Sequence, residues 1–142
     1  MRPAIVESPF KTAEIVLANG ETATIEEAKN IEYAKACCLW ALDQCYSPYA
    51  SHLFFTQFLD DSIPEQRKLG IQAGITWGSA ADVRIFFVDR GFTEGMVYGY
   101  KASKTLPQRI KVIKLGGDWD LGWIEGSTPT WDAVDARLAQ SI

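Results

Sequence analysis

The run Val83-Arg84-Ile85-Phe86-Phe87-Val88 constrains this chain more than any other segment. It is β-branched and aromatic, and almost continuously apolar. A strand exposed on one face alternates apolar and polar side chains, whereas one covered on both faces does not. The run therefore predicts an interior strand of a parallel sheet with helices on both sides. Its neighbours agree. Ala4-Ile5-Val6 is a second apolar run, stopped by Glu7-Ser8-Pro9. Tyr49 to Phe55 should contain a further strand, and Ile110 to Leu115 another. Three helix signals lie between them and a fourth follows. Thr24-Ile25-Glu26-Glu27 fits a capping box opening a helix to about Gln44, with Ile31, Ala34, Cys38, Ala41 and Leu42 on one face. Ser62-Ile63-Pro64-Glu65 repeats that logic for a helix carrying Leu69, Ile71, Ile75 and Trp77 to about Gly78. Gly95-Met96 begins a third helix reaching about Ser103, and Thr128-Pro129 a last one with Trp131, Val134 and Leu138 at helical spacing.

One segment interrupts the alternation. Glu14-Ile15-Val16-Leu17 faces Thr22-Ala23-Thr24-Ile25 across Ala18-Asn19-Gly20-Glu21, and Asn-Gly between β-prone runs signals a hairpin because both residues accept positive φ. The fold class expected is an open parallel α/β sheet with an inserted β-hairpin at about 12–27. A Trp-rich C-terminal extension at about 116–142 follows. The 142 residues suffice for one domain, 1–142.

Composition excludes several chemistries. With His52 as the one histidine, any Ser-His-Asp or Cys-His machinery has to use it, and a His-rich metal site is impossible. The three cysteines, Cys37, Cys38 and Cys45, are odd in number and clustered, which argues against a disulfide framework. A formal charge of −4 speaks against nucleic-acid polymers as partners. No apolar run approaches the ~18 residues of a membrane span, and the N-terminus lacks a signal-peptide core, so the expected compartment is the cytoplasm.

Open parallel sheets bind ligands beyond the strand C-termini where the strand order reverses. That draws attention to the loops Glu7–Lys11, Ser51–Asp61 and Asp89–Met96. Across these loops the sequence resembles the nucleoside 2-deoxyribosyltransferase-like superfamily, closest to a small branch found in bacteria and their phages. The matching pieces are Ile5-Val6-Glu7-Ser8-Pro9-Phe10, Asn30 with Tyr33, Ser47-Pro48-Tyr49-Ala50-Ser51-His52-Leu53 and Gln57-Phe58-Leu59-Asp60-Asp61. Pro64-Glu65-Gln66-Arg67 with Gly70-Ile71, Ala81-Asp82-Val83, and Gly95-Met96 complete them, so the match runs from about residue 4 to 115.

The resemblance implies a flavodoxin-like sheet of four to five strands with helices on both faces, assembled as a homo-oligomer. It also implies N-glycosidic chemistry on deoxynucleosides or their monophosphates through a Glu nucleophile, as in a retaining glycosidase. In the enzymes that Glu sits one helical turn after the glycine opening the third helix. Here that position is Gly99, without a side chain.

The residues expected to touch a ligand follow from the loops and the resemblance together. Ser8 can donate to phosphate, Phe10 can cover a base, and Pro9 shapes the turn between them. Ser51 and His52 end the second strand, and a lone His is as readily a structural hydrogen-bonder as a ligand contact. Gln57 and Asp60 are polar candidates, with Asp61 read as helix N-terminal charge. Arg67 is a candidate phosphate clamp, or equally an ion-pair partner. Asp82 stands where the family carries an Asp and is more readily a structural acid. Thr93, Gly95 and Met96 run into a helix N-terminus suited to an anion, and Tyr98 flanks Gly99 as a stacking or interface side chain. Trp119, Trp123 and Trp131 form either a lid or an anchor for the tail. No cofactor or metal is implied.

The expected function is binding of a nucleotide or nucleotide-derived small molecule without glycosyl transfer, in a phage setting as sequestration of a nucleotide signal. The alternatives are an N-glycosidase or transferase using Asp60, Glu94 or a neighbouring subunit's carboxylate, and a structural protein with a vestigial cleft.

Overall fold

In the computed structural model, which describes residues 1–17 and 19–122, the run beginning at Val83 is β5 (Val83–Phe87), and all five of its residues are buried. It lies between β1 (Arg2–Glu7) and β6 (Arg109–Ile113), and β4 (Tyr46–Tyr49) closes the other edge. The order β4-β1-β5-β6 is parallel throughout, with Ile5 opposite Arg84 and Ala4 opposite both Val83 and Pro48. This is the open flavodoxin-like sheet, with four strands among the described residues.

The alternation along β5 divides two cores. Val83, Ile85 and Phe87 point to α1 (Glu27–Asp43), meeting Tyr33 and Cys37 together with Ala4 and Val6 of β1. Phe86 points the other way, to α4 (Glu94–Ser103), where it packs with Val88, Phe92, Met96, Val97 and Tyr100. Arg84 shares that second face, against α3 (Pro64–Gly78). Helices therefore cover both faces, which is why β5 shows no polar alternation.

The hairpin forms as β2 (Ala13–Val16) and β3 (Thr22–Ile25), antiparallel with Glu14 opposite Thr24. Ile15 lies against Gly91, whose φ of +92° favours glycine and whose missing side chain lets the hairpin approach.

Four local expectations are corrected. The Thr24 capping box does not form, because Thr24 is held in β3; Glu26 is the N-cap, and Thr12 Oγ1 accepts the Glu27 N–H at 3.0 Å. The core face of α1 is turned by about one residue, to Asn30, Tyr33, Ala34, Cys37 and Ala41, leaving Leu42 exposed. The second strand lies at Tyr46–Tyr49 rather than within Tyr49–Phe55. Pro48 is tolerated there because β4 is an edge, and Ser51–Phe54 forms a short helix, α2, instead. On α3, Ile63 is the N-cap and the buried residues are Gly74 and Gly78, while Leu69 and Trp77 face outward. The helix expected from Thr128-Pro129, with Trp123 and Trp131, lies outside the described residues.

Among the described residues no helix is long and apolar enough to cross a membrane.

Candidate functional site

The chain leaves β1 toward β4 on one side and later returns to β5 on the other, so the strand order reverses at the end of β1. A crevice of about 370 Å³ opens there, within the range of small-molecule sites. All three loops singled out by topology reach it: Ser8 and Phe10 from β1, Ser51 and His52 from α2, and Thr93 and Gly95 from the start of α4. Arg67 of α3 completes the rim.

The loop after β1 is held by a fully buried side chain. Asn30 Nδ2 donates to the carbonyls of Phe10 and Lys11, both at 3.1 Å, and its Oδ1 accepts from Arg90 Nε at 2.9 Å. Lys11 then crosses the mouth to donate to the Asp61 carbonyl at 2.8 Å, with the Asp61 carboxylate 3.6 Å away. The sequence offers Asn30 only as part of a resemblance, and the structure gives it this positioning task.

Ser8 Oγ and His52 Nε2 are 2.9 Å apart, and the Phe10 ring meets the imidazole edge-on. Burial lowers the His52 pKa from 6.5 to about 4, so the ring is neutral at physiological pH and works as a hydrogen-bonding group rather than a cation.

The same cavity holds a group to which the sequence alone assigns no role. Glu7, the last residue of β1, lines the crevice and accepts from Arg84 Nη1 at 2.7 Å. The guanidinium side chain is 2% exposed and the carboxylate side chain 14%. Two glycines make room for this ion pair. A Cβ on Gly78 would run into the Arg84 guanidinium, and one on Gly99 would stand 2.7 Å from the Glu7 carboxyl group. The space in front of residue 99 is thus filled by the Glu7 carboxyl. Desolvation of Glu7 outweighs the attraction of Arg84 and raises its pKa from 4.5 to about 7. The available signal was a charged residue, Arg84, inside an apolar strand, because such a residue needs a buried counter-charge.

The remaining candidates fall in other places. Pro9 is buried and does not line the crevice. Gln57 is exposed and donates to the Leu53 carbonyl, and Asp60 Oδ1 accepts from the Ser62 amide at 2.9 Å and hydroxyl at 2.6 Å, an Asx turn before α3. Asp61, rather than Asp60, lines the cavity. Asp82 precedes β5 at the N-terminal edge of the sheet, opposite the crevice, with its backbone paired to Pro3 and Arg109. Met96 is 1% exposed in the core under α4, because the helix turns it inward. Tyr98 is exposed beside an adjoining groove of about 650 Å³ that shares Lys11, Asp61 and Arg67 with the crevice. The Glu94 side chain lies outside the described part of the structure. Among the described residues no cluster of three His, Cys, Asp or Glu is placed to hold a metal ion.

Two outcomes follow from this geometry. Gly99→Ala is expected to lose about 1–3 kcal/mol by overpacking, offset in part by the ~1 kcal/mol helical advantage of Ala. Gly95→Ala, with nothing within 4 Å of the added methyl, is the control that should lose nothing, both read by urea unfolding. The second concerns pH. Glu7 binds its proton more tightly when folded, so its contribution to stability declines as pH rises from 4.5 to about 7. His52 binds its proton less tightly, so its contribution grows as pH rises from about 4 to 6.5. These slopes oppose each other. His52→Asn should therefore lose stability with rising pH more steeply than the parent between those limits; parallel profiles would contradict the assignment.

A family model described as a domain of unknown function, DUF7768, matches residues 3–113. No curated protein and no solved structure matches the chain.

Proposed function

The chain belongs to the DUF7768 family, and we propose that its crevice binds a nucleotide or nucleotide-derived small molecule. The observation that carries this reading is the convergence at the switch point. Thr93 and Gly95 bring the N-terminal turn of α4, whose first amides have no partner within the helix, to the same cavity as Arg67. Phe10 and Phe55 add aromatic lining, and the neutral Ser8–His52 pair adds a donor and an acceptor. The helix turn and Arg67 suit a phosphate, and the aromatic rings suit a base. The resemblance to deoxyribosyltransferase-like sequences supports the same ligand class.

Binding without glycosyl transfer is the reading we favour, since Gly99 offers no carboxylate and the carboxyl in its space is tied to Arg84. The same carboxyl favours a second reading, N-glycosidase action with Glu7 as the displaced acid, because it lines the crevice with a near-neutral pKa. A cytoplasmic location is supported by three unpaired cysteines. A homo-oligomer has its support in the exposed Leu69 and Trp77 of α3.

Thermal-shift titration with nucleosides, nucleoside monophosphates and cyclic nucleotides tests the proposal. A bound nucleotide should stabilise the fold by about 2.7 kcal/mol at a hundred times its Kd, with no free base released on long incubation. Base release that disappears in Glu7→Gln would replace the binding reading with the enzymatic one. A flat panel would leave the crevice without this ligand class.

A further inference from the structure

The Glu7 carboxyl presents two unlike oxygens. Oε1 is fixed by Arg84 Nη1 at 2.7 Å, and among the described residues no hydrogen bond engages Oε2. The side chain lines the same cavity as the Ser8–His52 pair. On the β5 side it faces Arg84, and on the α4 side Gly99, which contributes no charge. From α2, His52 lines the same cavity and is neutral above about pH 4. The charged groups around the rim are Lys11 and Asp61, paired with each other, and Arg67 of α3.

We propose that the crevice takes up its anionic ligand together with a proton on Glu7, which selects ligands offering Oε2 a carbonyl oxygen or ring nitrogen as acceptor. The inference rests on the nucleotide reading and adds to it the group that discriminates among nucleotides. Its physical basis is like-charge exclusion. A phosphate brought into the cavity that holds Glu7 disfavours a second negative charge there, so the ligand prefers the neutral acid. A neutral carboxyl is also a donor, and its hydrogen bond to an acceptor on the ligand is lost on ionisation. With the free carboxyl titrating at about 7, uptake near neutrality should consume a substantial fraction of a proton.

Calorimetric titration with a cyclic nucleotide, in buffers of differing ionisation enthalpy, reads that proton directly, because its phosphodiester does not itself titrate near neutral pH. The expected uptake is about half a proton at pH 7, approaching one at about pH 8 and vanishing at about pH 5. Affinity should weaken about tenfold between about pH 6 and about pH 8. Glu7→Gln, which keeps a donor and an acceptor but cannot ionise, should bind without proton uptake and with flat pH dependence. Binding by the parent protein without uptake, or uptake that persists in Glu7→Gln, overturns the inference and leaves the nucleotide reading standing. Should Glu7→Gln fail to fold, the parent's uptake curve decides: a midpoint near 7 supports the inference, and one near 4 to 5 overturns it. If no member of the panel binds at any pH, the nucleotide reading itself fails and this inference falls with it.

Discussion

Above about pH 7, where Glu7 is ionised, Arg84→Ala is expected to lower the free energy of unfolding by about 3–5 kcal/mol, the cost of breaking a buried ion pair from one side. Arg84 is 2% exposed, donates from Nη1 to Glu7 Oε1 at 2.7 Å, and donates from Nε to Gln108 Oε1 at 3.3 Å. Gln108 in turn donates to the carbonyls of Gly78 and Ala81, so the guanidinium is one corner of a network joining β5 to the end of α3. Its removal leaves a cavity between Gly78 and the sheet and takes the counter-charge from Glu7. Because Glu7 titrates at about 7, the loss should be larger above that pH, where the stranded carboxyl has to ionise or hold its proton against solution. Replacing both partners by apolar residues, as in Arg84→Met with Glu7→Leu, should recover much of the loss, since desolvation of the pair is then no longer needed. Urea unfolding of the two variants at about pH 6 and about pH 8 reads all of this. A loss below about 1 kcal/mol at both pH values would show that the pair is not the buried contact described.

Asp89→Ala is expected to cost about 3–5 kcal/mol by a different route. The Asp89 side chain is fully buried at the end of β5, accepting from the Tyr33 hydroxyl at 2.5 Å and from the amides of Leu115 and Gly116, both at 2.9 Å. Its own N–H donates to the Tyr33 oxygen at 3.1 Å, and its carbonyl accepts from the Leu121 amide. Deleting the carboxyl leaves donors from α1 and from the segment after β6 without partners, at about 1–3 kcal/mol for each group that stays dry. The effect should be local as well as global. Amide exchange at Leu115 and Gly116 should accelerate sharply, and the Tyr33–Trp119 ring contact at 5.2 Å should loosen. Unchanged exchange at those two amides would show that Asp89 does not anchor the segment.

The parts legible in the sequence are those set by short-range pattern. The continuous apolarity of Val83–Val88 gave the interior strand, and Asn19-Gly20 gave the hairpin, because each depends on residues adjacent in the chain. The three loops at the crevice followed from topology once the alternation was read. What escaped depends on contacts made across the chain. Thr12 caps α1 from 15 residues away, which no local capping motif can reveal. Apolar periodicity points to the wrong face of α3 because Gly74 and Gly78, rather than large apolar side chains, form its buried stripe, packed against Ser51 and Arg84. Glu7 and Arg84 are 77 residues apart. A charge inside an apolar strand announces that a partner exists without saying which, and Gly99 reads as an absent side chain until the carboxyl that occupies its space is seen.

Backbone amide shifts in the isotope-labelled protein, mapped during titration with the nucleotide panel, show whether the crevice at the end of β1 holds a nucleotide-like ligand. Perturbations should converge on Ser8, Phe10, His52, Thr93 and Gly95, and saturate together with one affinity. Perturbations confined to the outer face of α3 or to the opposite edge of the sheet around Asp82, or none with any nucleotide, would contradict the nucleotide reading.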